Sequence, residues 1–251
     1  MASILLPIPF IDFDPTEVAV PWSMLVKAGH SVRFATPDGT MGSADPIMLT
    51  GNGLGPWKPI LAAARSVLPI YEEMTRYPYF QKPLTYEEAK TEAFDAILLA
   101  GGHAHGVRPY LESNDLQTIL AKHDAAGRWI AAICHGVLLM GRACDGTGKS
   151  LLHGRKTTAL LRSQEMLAWN MTRLWMGTYY RTYPQTTVED EVRSYLAAEE
   201  DFEHGPMPLQ RDAPDLLERG FVVKDRNYIS ARWPGDAHRF AQTLIDALAS
   251  S

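Results

Sequence analysis

The sequence predicts an α/β fold, a layered sandwich with a mainly parallel central sheet and helices on both faces. Apolar runs of strand length alternate with helix-length stretches along the chain, and the run Ala96–Ala100 (AILLA) is apolar at every position. A strand with no polar face is one covered on both sides, as in a parallel sheet. The composition agrees: 251 residues, 46% hydrophobic and 21% charged, are enough to bury a substantial core.

Ser3–Ile8 is a short apolar run broken by Pro7 and still compatible with a buried strand. Glu17–Ala28 places Val18, Val20, Trp22, Leu25 and Val26 within one helical winding, and Gly29 follows as a C-cap. Ser31–Ala35 is a second strand, closed by the turn signal Pro37-Asp38-Gly39. From Gly42 to Lys90 glycine, proline and aromatics interrupt the pattern, which predicts a partly helical insertion.

Order returns with the strand at Ala96–Ala100. Asp115–Ala126 reads as a helix with Leu116, Ile119 and Leu120 inward, Trp129–Ile133 as a strand, and Gly136–Cys144 as the next helix. Arg155–Leu160 is expected to be another strand. Ser163–Met176 and Val188–Ala198 are helix-like, Phe221–Lys224 and Tyr228–Ala231 pair around Arg226-Asn227, and Asp236–Ala249 is the last helix. The whole reads as one domain, 1–251, with insertions at about 40–92 and 163–215.

Several function classes are disfavoured. A formal charge of −5, from 24 Lys and Arg against 29 Asp and Glu, leaves no electrostatic footprint for nucleic acid. Two cysteines, Cys134 and Cys144, are too few for a disulfide scaffold. The start MASILLPIPFIDFD lacks a basic region, so no secretory signal is expected, and no apolar run approaches membrane-span length. A cytoplasmic location without a membrane partner follows as the expectation.

In a parallel sheet, active sites lie beyond the carboxyl ends of the strands. That rule selects the loop before Glu17, the turn Gly101-Gly102-His103 and the turn Cys134-His135-Gly136. Cys134 leaves an apolar strand and enters an apolar helix, the position of a nucleophile elbow. A helix N-terminus there favours the thiolate, lowering the thiol pKa. His135 is a candidate proton shuttle. The alternative is a structural cysteine that happens to precede histidine; Cys144, expected inside a helix, reads as packing.

Gly101 and Gly102 let the backbone approach a ligand, and the amides of Gly102 and His135 would form an oxyanion hole. His103 joins them as a substrate-binding candidate. His103 and His105 alternate as metal ligands sometimes do, but no third ligand is evident and no metal is expected. Glu17 either caps its helix or, with a pKa raised by burial, exchanges a proton at the cysteine. Trp175–Tyr183 (WMGTYYRTY) reads as core or dimer packing, with a pocket wall as the alternative.

Taken together, Glu17-Val18-Ala19-Val20-Pro21, Phe34–Gly39, Asp95–Gly102 and Ala131–Gly136 resemble the ThiJ/PfpI superfamily, and the length and Gly-Gly-His resemble its larger chaperone and glyoxalase III branch. The resemblance implies a flavodoxin-like sandwich and a homodimer. It assigns the nucleophile to Cys134, the helix glutamate to Glu17, the following histidine to His135 and the oxyanion glycine to Gly102. It also implies cofactor-free conversion of methylglyoxal to lactate, or deglycation.

Departures are equally specific. Where this branch often has an acid that orients the histidine, the chain has Arg162, with Glu165 shortly after; Ala159 stands where compact members have a histidine, and Ala104 replaces the usual third glycine. The expectation is therefore a cysteine enzyme acting on a small carbonyl. The alternatives are another cysteine hydrolase, hydratase or amidase on the same scaffold, or a stress-response chaperone or cysteine redox sensor.

Overall fold

The computed structural model describes residues 1–250. Seven strands form one sheet: β1 Ser3–Pro7, β2 Ser31–Thr36, β3 Leu84–Thr85, β4 Ala96–Leu99, β5 Trp129–Ile133, β6 Val222–Asp225 and β7 Tyr228–Ala231. Their order is β3-β2-β1-β4-β5-β7-β6. All neighbours are parallel except β6 and β7, which make the antiparallel hairpin at one edge.

The all-apolar strands divide their side chains between two cores, as the period of two requires. Ile4, Leu6, Ala96, Leu98, Ala131 and Ile133 face the helices Pro15–Lys27, Val67–Thr75 and Ala237–Ala249. Leu5, Ile97, Leu99, Ile130 and Ala132 face Asn114–Ala125, Val137–Arg142 and Val188–Tyr195. The result is the flavodoxin-like three-layer arrangement. In the helix Asn114–Ala125, Leu116, Ile119 and Leu120 face inward as expected, joined by His123.

The first helix starts where Asp14 caps it, its carboxylate accepting the amides of Thr16 at 2.7 Å and Glu17 at 3.1 Å, with Pro15 in the first turn. Pro21 lies inside this helix and has no N–H to return to the Glu17 carbonyl. Burial of Val18, Trp22 and Leu25 holds the helix to the sheet regardless, each side chain contributing about 1.5–3 kcal/mol.

Two elements differ from expectation. Residues 155–160 are not a strand: Thr157 makes one isolated bridge to Phe202, and Thr158 donates its amide to Ser230 Oγ at 3.0 Å. These residues lie against β7, with Thr157 Oγ1 3.1 Å from the Tyr228 hydroxyl, and β7 already has β5 and β6 as its ladder partners. The helix after Cys134 ends at Arg142; Cys144 lies beyond it, exposed, bridged to Ser150 across a turn.

Candidate active site

The sheet order places the site. From β1 the chain moves outward to β2, then returns to β4 on the other side of β1, so the order reverses between β1 and β4. The carboxyl ends of adjacent β1, β4 and β5 carry the first helix, Gly101-Gly102-His103 and Cys134-His135-Gly136. Glu17, Gly101, Gly102, His103, Cys134 and His135 are thereby brought to one place, and all but Gly101 line a single cavity of about 460 Å³.

Close packing explains the glycines. A Cβ on Gly101 would stand 2.8 Å from both Glu17 Oε2 and the His135 amide nitrogen. Gly102 has φ +153°, and a Cβ there would meet the Asp12 carbonyl oxygen at 2.6 Å. A Cβ on Gly136 would collide with the carbonyl oxygens of Leu99 and Ala100. Cys134 itself has φ +59°, the left-handed region, at a non-glycine residue. Such a conformation costs about 1–2 kcal/mol and is held by the strand before it and the turn after it.

The thiol faces a histidine whose proton can be placed by counting donors. Cys134 Sγ lies 3.4 Å from His135 Nδ1, and His135 Nε2 lies 2.9 Å from Thr182 Oγ1. The one Thr182 hydroxyl proton is donated to the His103 carbonyl oxygen at 2.6 Å. Thr182 must therefore accept from His135 Nε2–H, which leaves a lone pair on Nδ1 pointing toward the thiol. Arg108 Nε, donating to the Thr182 carbonyl at 2.7 Å, fixes this segment in turn.

Burial sets the charge states. His135 is fully buried and its pKa is pulled down to about 3, first by desolvation and then by His103 and Arg142, so the imidazole is neutral. The Cys134 thiol is pushed well up by burial, with Glu17 and Asp14 adding to the effect. The sequence expectation of a lowered thiol pKa is thus reversed. The cysteine is buried, two acidic side chains flank it, and only a three-residue turn and a six-residue helix follow it. Glu17, fully buried and close to Asp14, is also raised well above its ordinary value. Its Oε2 accepts the Gly101 amide at 2.8 Å, and its Oε1 is buried with no protein partner.

Neither Arg162, which stands where an acid is expected, nor nearby Glu165 orients His135. Arg162 is exposed and pairs with Asp190 at 3.4 Å. Glu165 is buried but paired with Arg181 at 3.1 Å, and its Oε2 accepts the Val188 amide at 2.9 Å. The orienting group is Thr182, from the aromatic segment that reads in sequence as packing; that segment also sends Tyr180 to the cavity wall, stacked on His103 at 4.4 Å. A threonine 47 residues beyond its histidine leaves no local signal. His105 turns away, bonding the carbonyls of Thr178 and Arg181, and no cluster of three or more metal-ligating side chains occurs among the described residues. No helix among them is long and apolar enough to cross a membrane.

Residues 9–206 match the sequence profile of the family described as ThiJ/PfpI family-like. A Schizosaccharomyces pombe protein described as uncharacterized is 29% identical over 144 residues, 54% of this chain and 52% of its own. The glutathione-independent glyoxalase HSP31 of Saccharomyces cerevisiae is 26% identical over 165 residues, 65% of this chain and 62% of its own. The chain thus spans between half and two thirds of the length of these curated relatives. Glyoxalase III from Candida albicans superposes with a TM-score of 0.70 at 19% identity, covering 98% of this chain and 97% of that one. At that identity the likeness is one of fold.

Proposed function

Since the chain belongs to the ThiJ/PfpI-like family, we propose that it is a cofactor-free cysteine enzyme converting a 2-oxoaldehyde to the corresponding 2-hydroxy acid, methylglyoxal to lactate being the simplest case. The observation that carries this reading is the thiol of Cys134 facing the unprotonated Nδ1 of His135 at 3.4 Å. The likeness to two proteins described as glyoxalases supports it.

In this scheme the thiol gives its proton to Nδ1 as sulfur bonds to the aldehyde carbon. The C=O electron pair moves to oxygen beside the amides of Gly102 and His135, and neutral Glu17 protonates it to a hemithioacetal. Glu17, now a carboxylate, takes the proton from C1. The electrons move to the ketone oxygen, which His135 protonates, giving an enediol. Glu17 delivers a proton to C2 while the C1 hydroxyl returns one to Glu17, leaving a thioester. Water hydrolyses it and restores the thiol. The sum is one 2-oxoaldehyde plus one water to one hydroxy acid, and every proton is carried by a group already at the site. The raised Glu17 suits its first step, which needs the neutral acid.

The test is methylglyoxal consumption with lactate detection in wild type and Cys134→Ala. Turnover lost in a folded variant is expected; equal turnover in the two proteins, or none in the wild type, would defeat the proposal.

A further inference from the structure

The cavity is far larger than the reaction requires. At about 30 Å³ per water-sized group, 460 Å³ holds about fifteen such groups, whereas methylglyoxal has about five heavy atoms. Most of the excess is apolar: Leu160, Met171 and Trp233 line the wall. Ile60, Leu167 and Leu209 also line it yet are 59%, 61% and 78% exposed, which puts them at its mouth. Large apolar side chains held open to water around the entrance of a reactive site suit an apolar ligand.

Set into this apolar wall is a cation with an unused donor. Arg211 spends Nη2 on the carbonyl oxygens of Ile60 at 3.1 Å and Ala62 at 2.9 Å, and its guanidinium lies 5.6 Å from the centre of the Trp233 ring. Its Nη1 is buried with no partner, as are Trp233 Nε1 and the Tyr180 hydroxyl on the same cavity wall. Buried donors left unmade cost about 1–3 kcal/mol each, so several on one cavity wall mark a place where a ligand supplies the acceptors. Asp14 and Glu17 are the acidic groups that act on Arg211 through charge, but neither hydrogen-bonds Nη1: Asp14 accepts the amides of Thr16 and Glu17, and Glu17 that of Gly101.

We infer that the cavity takes an amphipathic carbonyl compound, one with an apolar body of roughly six to ten carbons and a carboxylate seated on Arg211. This rests on the reading that Cys134 attacks a carbonyl, and it names the class of substrate. The unpartnered Nη1 offers a carboxylate its N–H groups, and in a low-dielectric wall such a charge-assisted pairing is worth more than in water. A three-carbon substrate would fill neither the apolar wall nor the Arg211 donor.

The experiment is calorimetric titration of Cys134→Ala protein with octanoate, 1-octanol and acetate, none of which reacts. Octanoate is expected to bind at least tenfold more tightly than either of the others. Arg211→Met should remove that advantage over octanol. Because Arg211 also holds the backbone at Ile60 and Ala62, a second variant is needed: Leu167→Glu, at an exposed mouth position, should weaken octanoate severalfold more than octanol. Octanol or acetate binding as tightly as octanoate, or an octanoate advantage unchanged by both substitutions, would overturn the inference. The probes need no turnover. Octanoate selectivity without 2-oxoaldehyde turnover in the intact enzyme would therefore sink the reaction and leave this site standing, and turnover without octanoate selectivity would do the reverse.

Discussion

Replacing Thr182 by valine removes one hydroxyl and keeps the shape of the side chain, so it isolates the proton arrangement around His135. In the folded protein that hydroxyl accepts from Nε2–H at 2.9 Å and donates to the His103 carbonyl at 2.6 Å, both in a buried setting. Its loss strands a buried N–H and weakens the support of a buried carbonyl, at about 1–3 kcal/mol of stability. The effect on chemistry is separate. When the thiol proton moves to Nδ1 the ring becomes an imidazolium, and its bond to Thr182 becomes charge-assisted, worth about 1.5–3 kcal/mol. Only its gain over the neutral bond, about 1–1.5 kcal/mol, acts on the barrier, so at 1.36 kcal/mol per tenfold the variant should slow Cys134 alkylation roughly 5- to 10-fold. The assay is iodoacetamide modification followed by intact mass from pH 7 to 10, in a Cys144→Ala background so that one thiol reports. Thr182→Ser should restore the rate to within a few-fold. A valine variant that is destabilised yet alkylates at the wild-type rate across that range would refute the role given to Thr182 and reduce it to packing.

In wild type at pH 7.5, iodoacetamide should modify exposed Cys144 before buried Cys134, with Cys134 modification still rising through pH 9; peptide mapping that finds Cys134 first would contradict its raised thiol pKa. Gly101→Ala puts a methyl group 2.8 Å from Glu17 Oε2 and from the His135 amide, so it should cost about 1–3 kcal/mol and abolish turnover, and a fully active, equally stable variant would count against the close-packed site. Glu165 is held at about 7 by burial, above its ordinary 4.5. Its folded form therefore binds more protons than its unfolded form between those values, and its contribution is complete below about pH 4.5 and lost as the pH rises through 7. The loss is up to about 3 kcal/mol. Denaturant melts from pH 5 to 8 should show wild type weakening as the pH rises and Glu165→Gln weakening less; parallel curves would remove Glu165 as the cause.

The neutral resting pair also bears on the redox-sensor alternative. A sensor needs an accessible thiolate. Cys134 is 6% exposed, and its thiol is pushed toward the protonated form, so the arrangement favours a thiol that ionises as it attacks a bound electrophile over one kept ready for peroxide.

What could be read from the chain alone is local or periodic. The all-apolar runs at β4 and β5 required a sheet covered on both faces, and the rule that sites lie at strand carboxyl ends then selected Glu17, Gly101, Gly102, His103, Cys134 and His135, which the fold brings together. Three things depended on contacts between distant segments. Whether residues 155–160 form a strand turned on where they pack, and they lie against β7, whose two ladder positions β5 and β6 already hold. The Cys134 pKa turned on desolvation and on the acids beside it, effects that outweigh the turn-end dipole the local sequence suggests. The partner of His135 and the cation on the cavity wall, Thr182 and Arg211, come from segments with no motif of their own, because a hydroxyl or a guanidinium acquires such a role only through what lies within about 3 Å of it.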